Sequence, residues 1–372
     1  MTQIDVKKVS AKSDLMSFIR FPWEIYHGDP NWVPPLMMDM KTLLNREKNP
    51  FFRHSKADYF LAYKEGKIVG RIAAILNNNH NSFHEENVGF FGFFEAIQDQ
   101  EVTNALLQQV EAWARSHQLD LVRGPMNFST NDTCGMLVDG YDLPPMIMMT
   151  YNPTYYNDLL EQAGYEKAQD LLAYRQFTAQ GFNPRLRRIA QSAREIPGLK
   201  VRHLNMKKFW DEVRLIQKIY NEAWSKNWGF VPMTDQEIHH LAKELKPVVD
   251  ARYVYLAEID GEPAAFALSL PDYNQALIKI NGRLLPFGIL KLLHYSRKID
   301  ALRVMILGVV SRFQSSGLGA LLYEMTYDNA AKHGVKYGEF SWILESNKPM
   351  NSAAKIMGGE VYKRYRVYEK QL

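Results

Sequence analysis

Hydrophobic positions change period along the chain, and each change marks an element. Tyr253–Ile259 and Pro263–Leu270 are apolar runs on either side of Asp260-Gly261, which predicts a hairpin. Residues 287–299 have a helical pattern. Val304–Val310 is apolar and rich in β-branched residues, as expected of a central strand covered on both faces. Gly317–His333 returns to helical periodicity and stops at Gly334, a C-cap signal. Residues 337–344 predict a strand, 351–357 a short helix and 361–369 a last strand. This order predicts an α/β fold of mixed, α+β-type sheets flanked by helices.

The pattern repeats at an offset near 195. Val6-Lys-Lys-Val9 is echoed by Val201-Arg-His-Leu204, each followed by a helical stretch, residues 15–26 and 209–224. Asn31-Trp-Val-Pro34 returns as Asn227-Trp-Gly-Phe-Val-Pro232. The hairpin opening Asp58–Gly66 returns as Arg252–Gly261, and Asn152 followed by Gly164 returns as Asn347 followed by Gly359. The shared order predicts two copies of one unit. Gly181-Phe-Asn-Pro184 and Ile196-Pro-Gly198 flank a short basic helix between them. The expected domains are therefore 1–195 and 196–372.

Composition narrows the class. Of 372 residues, 46% are hydrophobic and 23% charged, so the chain is expected to fold around a substantial core. The net charge of +4 is uneven: residues 1–195 hold 20 basic and 23 acidic side chains, residues 196–372 hold 25 and 18. The basic half is expected to hold any anionic ligand. No dense Lys/Arg block occurs, so no nucleic-acid partner is expected. The single thiol, Cys134, cannot form an internal disulfide and fits a reducing cytoplasm. MTQIDVKKVS has no apolar signal core, and no run approaches the ~20 residues of a membrane helix, so no stable membrane insertion is expected. A homo-oligomer is compatible with the sequence. His80 and His84 stand one helical turn apart without a fixed third ligand, and His239-His240 adds none, so no metal site is expected.

The loop Gln314-Ser-Ser-Gly317-Leu-Gly319 follows the apolar strand and opens a helix. Glycines allow close backbone approach, and the first-turn amides of a helix favour phosphates. A tight strand-to-helix turn needing glycine only for sterics is the plainer alternative. Neither a Walker lysine nor the dinucleotide glycine spacing is present. The run Val309-Val-Ser-Arg-Phe-Gln-Ser-Ser-Gly-Leu-Gly-Ala320 resembles the acyl-CoA signature of the GNAT N-acetyltransferase superfamily. The following helix, strand 337–344 and Asn-containing helix ending at Gly358-Gly359 resemble that family too. The resemblance spans residues 200–370. The first half follows the same order, so the whole chain resembles a tandem GNAT protein with a degenerate first copy.

The resemblance implies that the amides of Ser315, Ser316, Gly317, Leu318, Gly319 and Ala320 cradle the pyrophosphate of acetyl-CoA or another acyl-CoA. Gln314 stands where the family has Arg or Gln. Val309 and Val310 would pair with the pantetheine amides, with an oxyanion held by a backbone amide near Val310. Asn347 and Asn351 lie where the family has a cofactor-contacting Asn; turn and cap roles would explain them equally. The family's frequent Tyr acid would fall near Ala354 or Met357, neither of which can give a proton, and its usual Pro is Ser311. Glu339 or Glu345 could deprotonate an incoming ammonium, directly or through water, and are the catalytic candidates; a surface carboxylate is the plainer reading of either. Tyr323 and Tyr327 read as packing residues.

The first half lacks the loop: Phe90–Gln100 offers only Gly92, and Glu95, Asp99 and Glu101 oppose an anion there. Its long Gly/Pro-rich stretch, residues 123–145, offers Asn127, Ser129, Asn131, Asp132 and Tyr141 as substrate hydrogen-bonding candidates, beside the reading as a structured connection. Cys134 there reads as a passive thiol. Residues 289–298 form an amphipathic, basic segment that could cover the sheet, close on a substrate, or touch a membrane or acyl chain. The expected activity is acyl-CoA-dependent N-acyl transfer, foremost acetylation of a small amine or amino-acid-like acceptor by direct attack in a ternary complex. Long-chain acyl transfer and a non-catalytic acyl-CoA sensor are the alternatives; the intact loop argues against an aminoacyl-tRNA donor.

Overall fold

The turn glycines and alternating apolar residues generate sheets in the computed structural model, which describes residues 3–224 and 227–372. Met1 and Thr2, at the start of the N-terminal stretch read above, lie outside the described residues, as do Ser225 and Lys226. By packing, the chain forms two units. Unit 1 comprises 1–171, 277–289 and 363–372; unit 2 comprises 172–276 and 290–362.

Unit 1 contains β1 (Asp5–Lys8), α1 (Lys12–Arg20), α2 (Pro22–Ile25), α3 (Met37–Leu43), β2 (Lys56–Lys64), β3 (Lys67–Leu76), α4 (Asn78–His84), β4 (Val88–Ala96), α5 (Gln100–Ser116), β5 (Leu121–Gly124), β6 (Met136–Asp139) and α6 (Tyr156–Gln162). The strand β7 (Glu166–Phe177) begins in unit 1 and ends in unit 2. The sheet runs β1-β2-β3-β4-β5, antiparallel except for the parallel β4–β5 pair. Its core gathers Ile72, Phe91, Leu106, Val110, Tyr156 and Tyr165.

Unit 2 adds α7 (Pro184–Arg194), β8 (Leu199–His203), α8 (Phe209–Trp224), α9 (Asp235–Leu245), β9 (Val254–Ile259), β10 (Glu262–Pro271) and α10 (Asn274–Leu277). After α11 (Gly288–Ser296) come β11 (Ala301–Val309), α12 (Leu318–Lys332), β12 (Tyr337–Leu344), α13 (Lys348–Ile356) and β13 (Glu360–Gln371). Its sheet runs β8-β9-β10-β11-β12-β7, and β11–β12 is the parallel pair. Small residues let α7 and α12 lie close on one face: Ala190, Ala193, Leu318 and Leu322 share a core with Ala257, Ala265 and Ala267.

The element order thus recurs, with one exchange. The last strand of the chain, from Lys363, lies antiparallel to β5 in unit 1, while the end of β7 borders β12 in unit 2. The units therefore divide near 171, not at the 195 expected from the repeat. The basic helix α7, expected to close the first domain, packs within unit 2, where Ile189 and Ala193 sit against Gly317. Among the described residues no helix is long and apolar enough to cross a membrane.

Candidate functional site

The parallel pair at the centre of unit 2 comes apart. The β11–β12 ladder runs from Ala301↔Tyr337 to Val304↔Phe340, whereas β11 stays paired with β10 as far as Val309↔Ala265. A bulge at Met305, where the β10 register shifts, bends β11 at the point of divergence. Beyond Val304 one edge of β11 is left open. The Val310 amide donates to the Ala264 carbonyl at 2.9 Å, so it cannot serve as an oxyanion donor, nor does it face the open edge. By strand alternation, the peptide groups of Val309 and Leu307 face that edge instead. Of the two expected strand-end residues, Val309 turns its peptide group to the open edge, as Leu307 does, and Val310 does not.

Beyond Val310 a turn, Ser311–Phe313, leads through Gln314 and Ser315, both exposed, to α12. Ser316 Oγ donates to the Phe313 carbonyl at 2.6 Å and lies 3.3 Å from the Leu318 amide, fixing the turn. Gly317 caps the helix at φ +82°, and a Cβ there would stand 2.9 Å from Ile189 Cγ2, so packing alone requires this glycine. Gly319 is different: a Cβ would meet only Val309 Cγ2, at 3.8 Å. The fold does not need glycine there, and the backbone of this first turn is left uncovered by side chains. Among the described residues, nothing accepts from the amides of Gly319 and Ala320. Leu318 is fully buried and anchors the turn.

The basic helix α7, expected at the end of the first domain, touches this turn through Ile189 and Ala193. Arg187 and Arg194 pair with Glu324 and Asp328 of α12. Arg185 and Arg188 are exposed and, among the described residues, have no ion-pair partner. The bridge from Arg312 to Glu262 holds the turn to β10.

The acid–base and cofactor candidates on and after β12 are placed as follows. Glu339 is 0% exposed, so it is no surface carboxylate. It accepts from Ser341 Oγ at 2.5 Å and from the Tyr362 hydroxyl, with the Arg303 guanidinium 3.8 Å away. Glu345 is half-buried just past β12, at the same end of the parallel pair as Val309. Asn347 caps α13 by accepting from the Met350 amide, and Asn351 donates to the Leu344 and Asn347 carbonyls while accepting from the Tyr174 hydroxyl. Both asparagines are engaged in building the end of β12. Tyr323 is buried and donates to Gln176; Tyr327 donates to the Thr178 carbonyl. Glu339→Gln should cost about 1–3 kcal/mol, because the two hydroxyls donate to different carboxylate oxygens, of which an amide keeps one, and Arg303 loses the negative charge beside it. A denaturation midpoint measures this; an unchanged midpoint with acyl transfer lost would make Glu339 a catalytic base instead.

Unit 1 treats the equivalent places otherwise. Its parallel ladder also stops early, at Phe90↔Arg123, but the chain itself fills the opening. The Met126 amide donates to the Phe91 carbonyl at 2.8 Å, and Asn127 Oδ1 accepts from the Phe93 amide at 2.7 Å. A Cβ on Gly92 would stand 2.1 Å from the Met126 carbonyl oxygen. Asp99 caps α5, accepting from the Glu101 and Val102 amides and pairing with Lys64, so a side-chain anion already holds that helix start. The proposed substrate contacts are largely committed within the stretch: Ser129 Oγ bonds Asp132 and the Asn131 amide, and Tyr141 donates to the Leu137 carbonyl, its pKa pushed up to about 12 by burial. Cys134 is buried. His80 bonds Glu86 at 3.0 Å, and burial pushes its pKa down to about 4; His239 stacks on Trp210.

A further feature went unread in the sequence. Phe209, Val213, Ile216 and Tyr220 recur at helical spacing on α8, and Ile238, Leu241, Ala242 and Leu245 do so on α9. The two faces border a partly open apolar cavity of about 80 Å³ over Leu268, Met305 and Ile306. No charged side chain lines it. It adjoins β11 at its bulge, and α8 packs over the strand here: a Cβ on Gly308 would meet the Trp224 ring at 2.3 Å.

No family model matches the chain. Two curated proteins align along nearly its whole length. Protein YghO of Escherichia coli (strain K12) is 38% identical over 369 residues, covering 97% of this chain and 94% of that protein. The bacterial ceramide synthase of Caulobacter vibrioides (strain NA1000 / CB15N) is 39% identical over 379 aligned positions, covering 99% and 98%. Among solved structures, a tandem GNAT protein from the clavulanic acid biosynthesis pathway superposes with a TM-score of 0.57 at 13% identity, covering 99% and 98% of the two chains. A GCN5-related N-acetyltransferase from Sphaerobacter thermophilus gives 0.52 at 15% identity, covering 99% and 95%.

Proposed function

The chain belongs to one family with YghO and the bacterial ceramide synthase and has the fold of a tandem GNAT protein, and from that premise we propose that it transfers a long acyl chain from acyl-CoA to the amino group of a long-chain amine. The observation that carries acyl-CoA use is the open edge of β11 leading into a helix start with unbonded amides at Gly319 and Ala320. The pantetheine would extend along Leu307 and Val309 as an added strand, and the pyrophosphate would meet the α12 amides. The amine attacks the thioester carbonyl, the C–S bond breaks as the amide forms, and the ammonium proton must be lost first. Glu345, just past the end of β12, would take that proton, directly or through water.

Chain length has separate support. The relative at 39% identity is called a ceramide synthase, and a ceramide is a long-chain amino alcohol N-acylated by a fatty acid. The apolar cavity beside the β11 bulge suits alkyl carbon and offers nothing to a polar metabolite. Acetylation of a small amine, expected from the family resemblance, becomes the short end of one test series. A second reading, a non-catalytic acyl-CoA sensor, is favoured by the buried, aprotic Ala354 and Met357 where the family has its acid. Thiol release, measured with acyl-CoAs from acetyl to palmitoyl against short and long amines, tests all three. Turnover should require both a long donor and a long amine. Acetyl-CoA turnover with small amines alone would overturn the chain-length reading, and stabilisation by acyl-CoA without thiol release from any pair would favour the sensor.

A further inference from the structure

Residues 273–299 contain no aspartate or glutamate but hold Lys279, Arg283, Lys291, Arg297 and Lys298, all exposed. The same segment displays apolar side chains to solvent: Leu285 is 78% exposed and Phe287 68%, and Ile289, Leu290 and Leu293 are exposed as well. These five are among only twelve large hydrophobics exposed among the described residues. On α11, Ile289, Leu290 and Leu293 share one arc of the helix, flanked by Lys291, while Leu292 and Tyr295 point more inward. A helix covering a sheet would turn this apolar arc inward; here the arc faces out.

The start of the segment is anchored. The Gly282 carbonyl accepts from the Met37 amide at 3.0 Å, and Asn281 Oδ1 accepts from Trp23 Nε1 at 2.8 Å. Gly282, at φ +70°, lets its backbone close to within 2.6 Å of Pro35 and Trp23 for any added Cβ. Leu285 and Phe287 therefore stand on an anchored base.

We propose that residues 283–298 form a docking surface for an anionic membrane, with Leu285, Phe287, Leu290 and Leu293 entering the headgroup–acyl boundary and Arg283, Lys291, Arg297 and Lys298 meeting lipid phosphates. An apolar arc bordered by cations, with no acid among them, matches a negatively charged bilayer in both of its layers. Another protein or a second copy of the chain would need acidic groups facing these cations, and the segment carries none of its own to pair with a copy of itself. Docking there does not depend on the donor or acceptor proposed above, because vesicle binding is read without substrate.

The full-length protein is tested by co-sedimentation with vesicles of phosphatidylcholine alone and of phosphatidylcholine with one-third phosphatidylglycerol. Binding should be confined to the phosphatidylglycerol vesicles and weaken with salt. It should fall by about tenfold or more in a Leu285→Ser, Phe287→Ser, Leu290→Ser variant and in a Lys291→Glu, Lys298→Glu variant. A melting temperature within a few degrees of wild type in both variants shows that they remain folded. Sedimentation velocity of the same variants completes the experiment. Wild-type protein that ignores the anionic vesicles, variants that bind as well as wild type, or a serine variant whose only change is loss of a dimer would each overturn the proposal.

Discussion

Gly319→Glu is expected to abolish the stabilisation that acyl-CoA gives the wild-type protein, with affinity lost on the order of a hundredfold or more. Two charge-assisted hydrogen bonds from the first-turn amides contribute about 1.5–3 kcal/mol each, and an adjacent carboxylate both repels the pyrophosphate and covers those amides. The fold should tolerate the change. A Cβ at 319 meets only Val309 Cγ2 at 3.8 Å, and an acidic residue in a first helical turn is stabilising by about 0.3–1 kcal/mol. The variant should therefore melt at or above the wild-type temperature without ligand and show no shift with it. Gly319→Ala should retain most of the binding. Gly317 would be a poor probe, because its substitution strains φ +82° and collides with Ile189. An acyl-CoA shift in Gly319→Glu equal to that of wild type would remove the pyrophosphate from this turn.

Much of this site was legible because its signals are local. The Asp260-Gly261 turn, the apolar run of β11, the capping glycine at 317 and the stop at Gly334 each act within a few residues, and each element formed within a few residues of its expected place. Long-range pairing left no such mark. Nothing near Glu166 or Lys363 shows that the ends of β7 and β13 join sheets built largely from the other repeat, so the boundary was set by the repeat and not by the packing. The arginines of α7 were counted with the acidic half for the same reason. Glu339 reads as exposed in an alternating strand; its burial depends on Arg303 and Tyr362, distant in sequence. Asn347 and Asn351 carried a cap signal as strong as the functional one, and the cap is what formed. Asn127 had a local hint, since a polar side chain after a glycine-proline turn often bonds backbone. That it would close the β4 edge depended on a three-dimensional opening.

Filling the cavity between α8 and α9 should separate long substrates from short ones. In Ala242→Phe, a phenyl ring projects from α9 into a space of about 80 Å³, displacing any alkyl carbon from it. Each buried methylene contributes about 0.8 kcal/mol, so excluding three or four should lower kcat/KM for the longest chain by on the order of a hundredfold. Chains too short to enter should lose little. Overpacking costs about 1–3 kcal/mol, so the comparison belongs below the variant's melting temperature, with Ala242→Val as a milder step. The dependence also identifies which substrate the cavity serves. A penalty that follows the length of the acyl-CoA places the donor chain there, whereas one that follows the amine places the acceptor. If kcat/KM fell equally for every chain length, the cavity would be a packing defect beside the site, and the long-chain reading would lose its structural support, resting only on the likeness to a ceramide synthase.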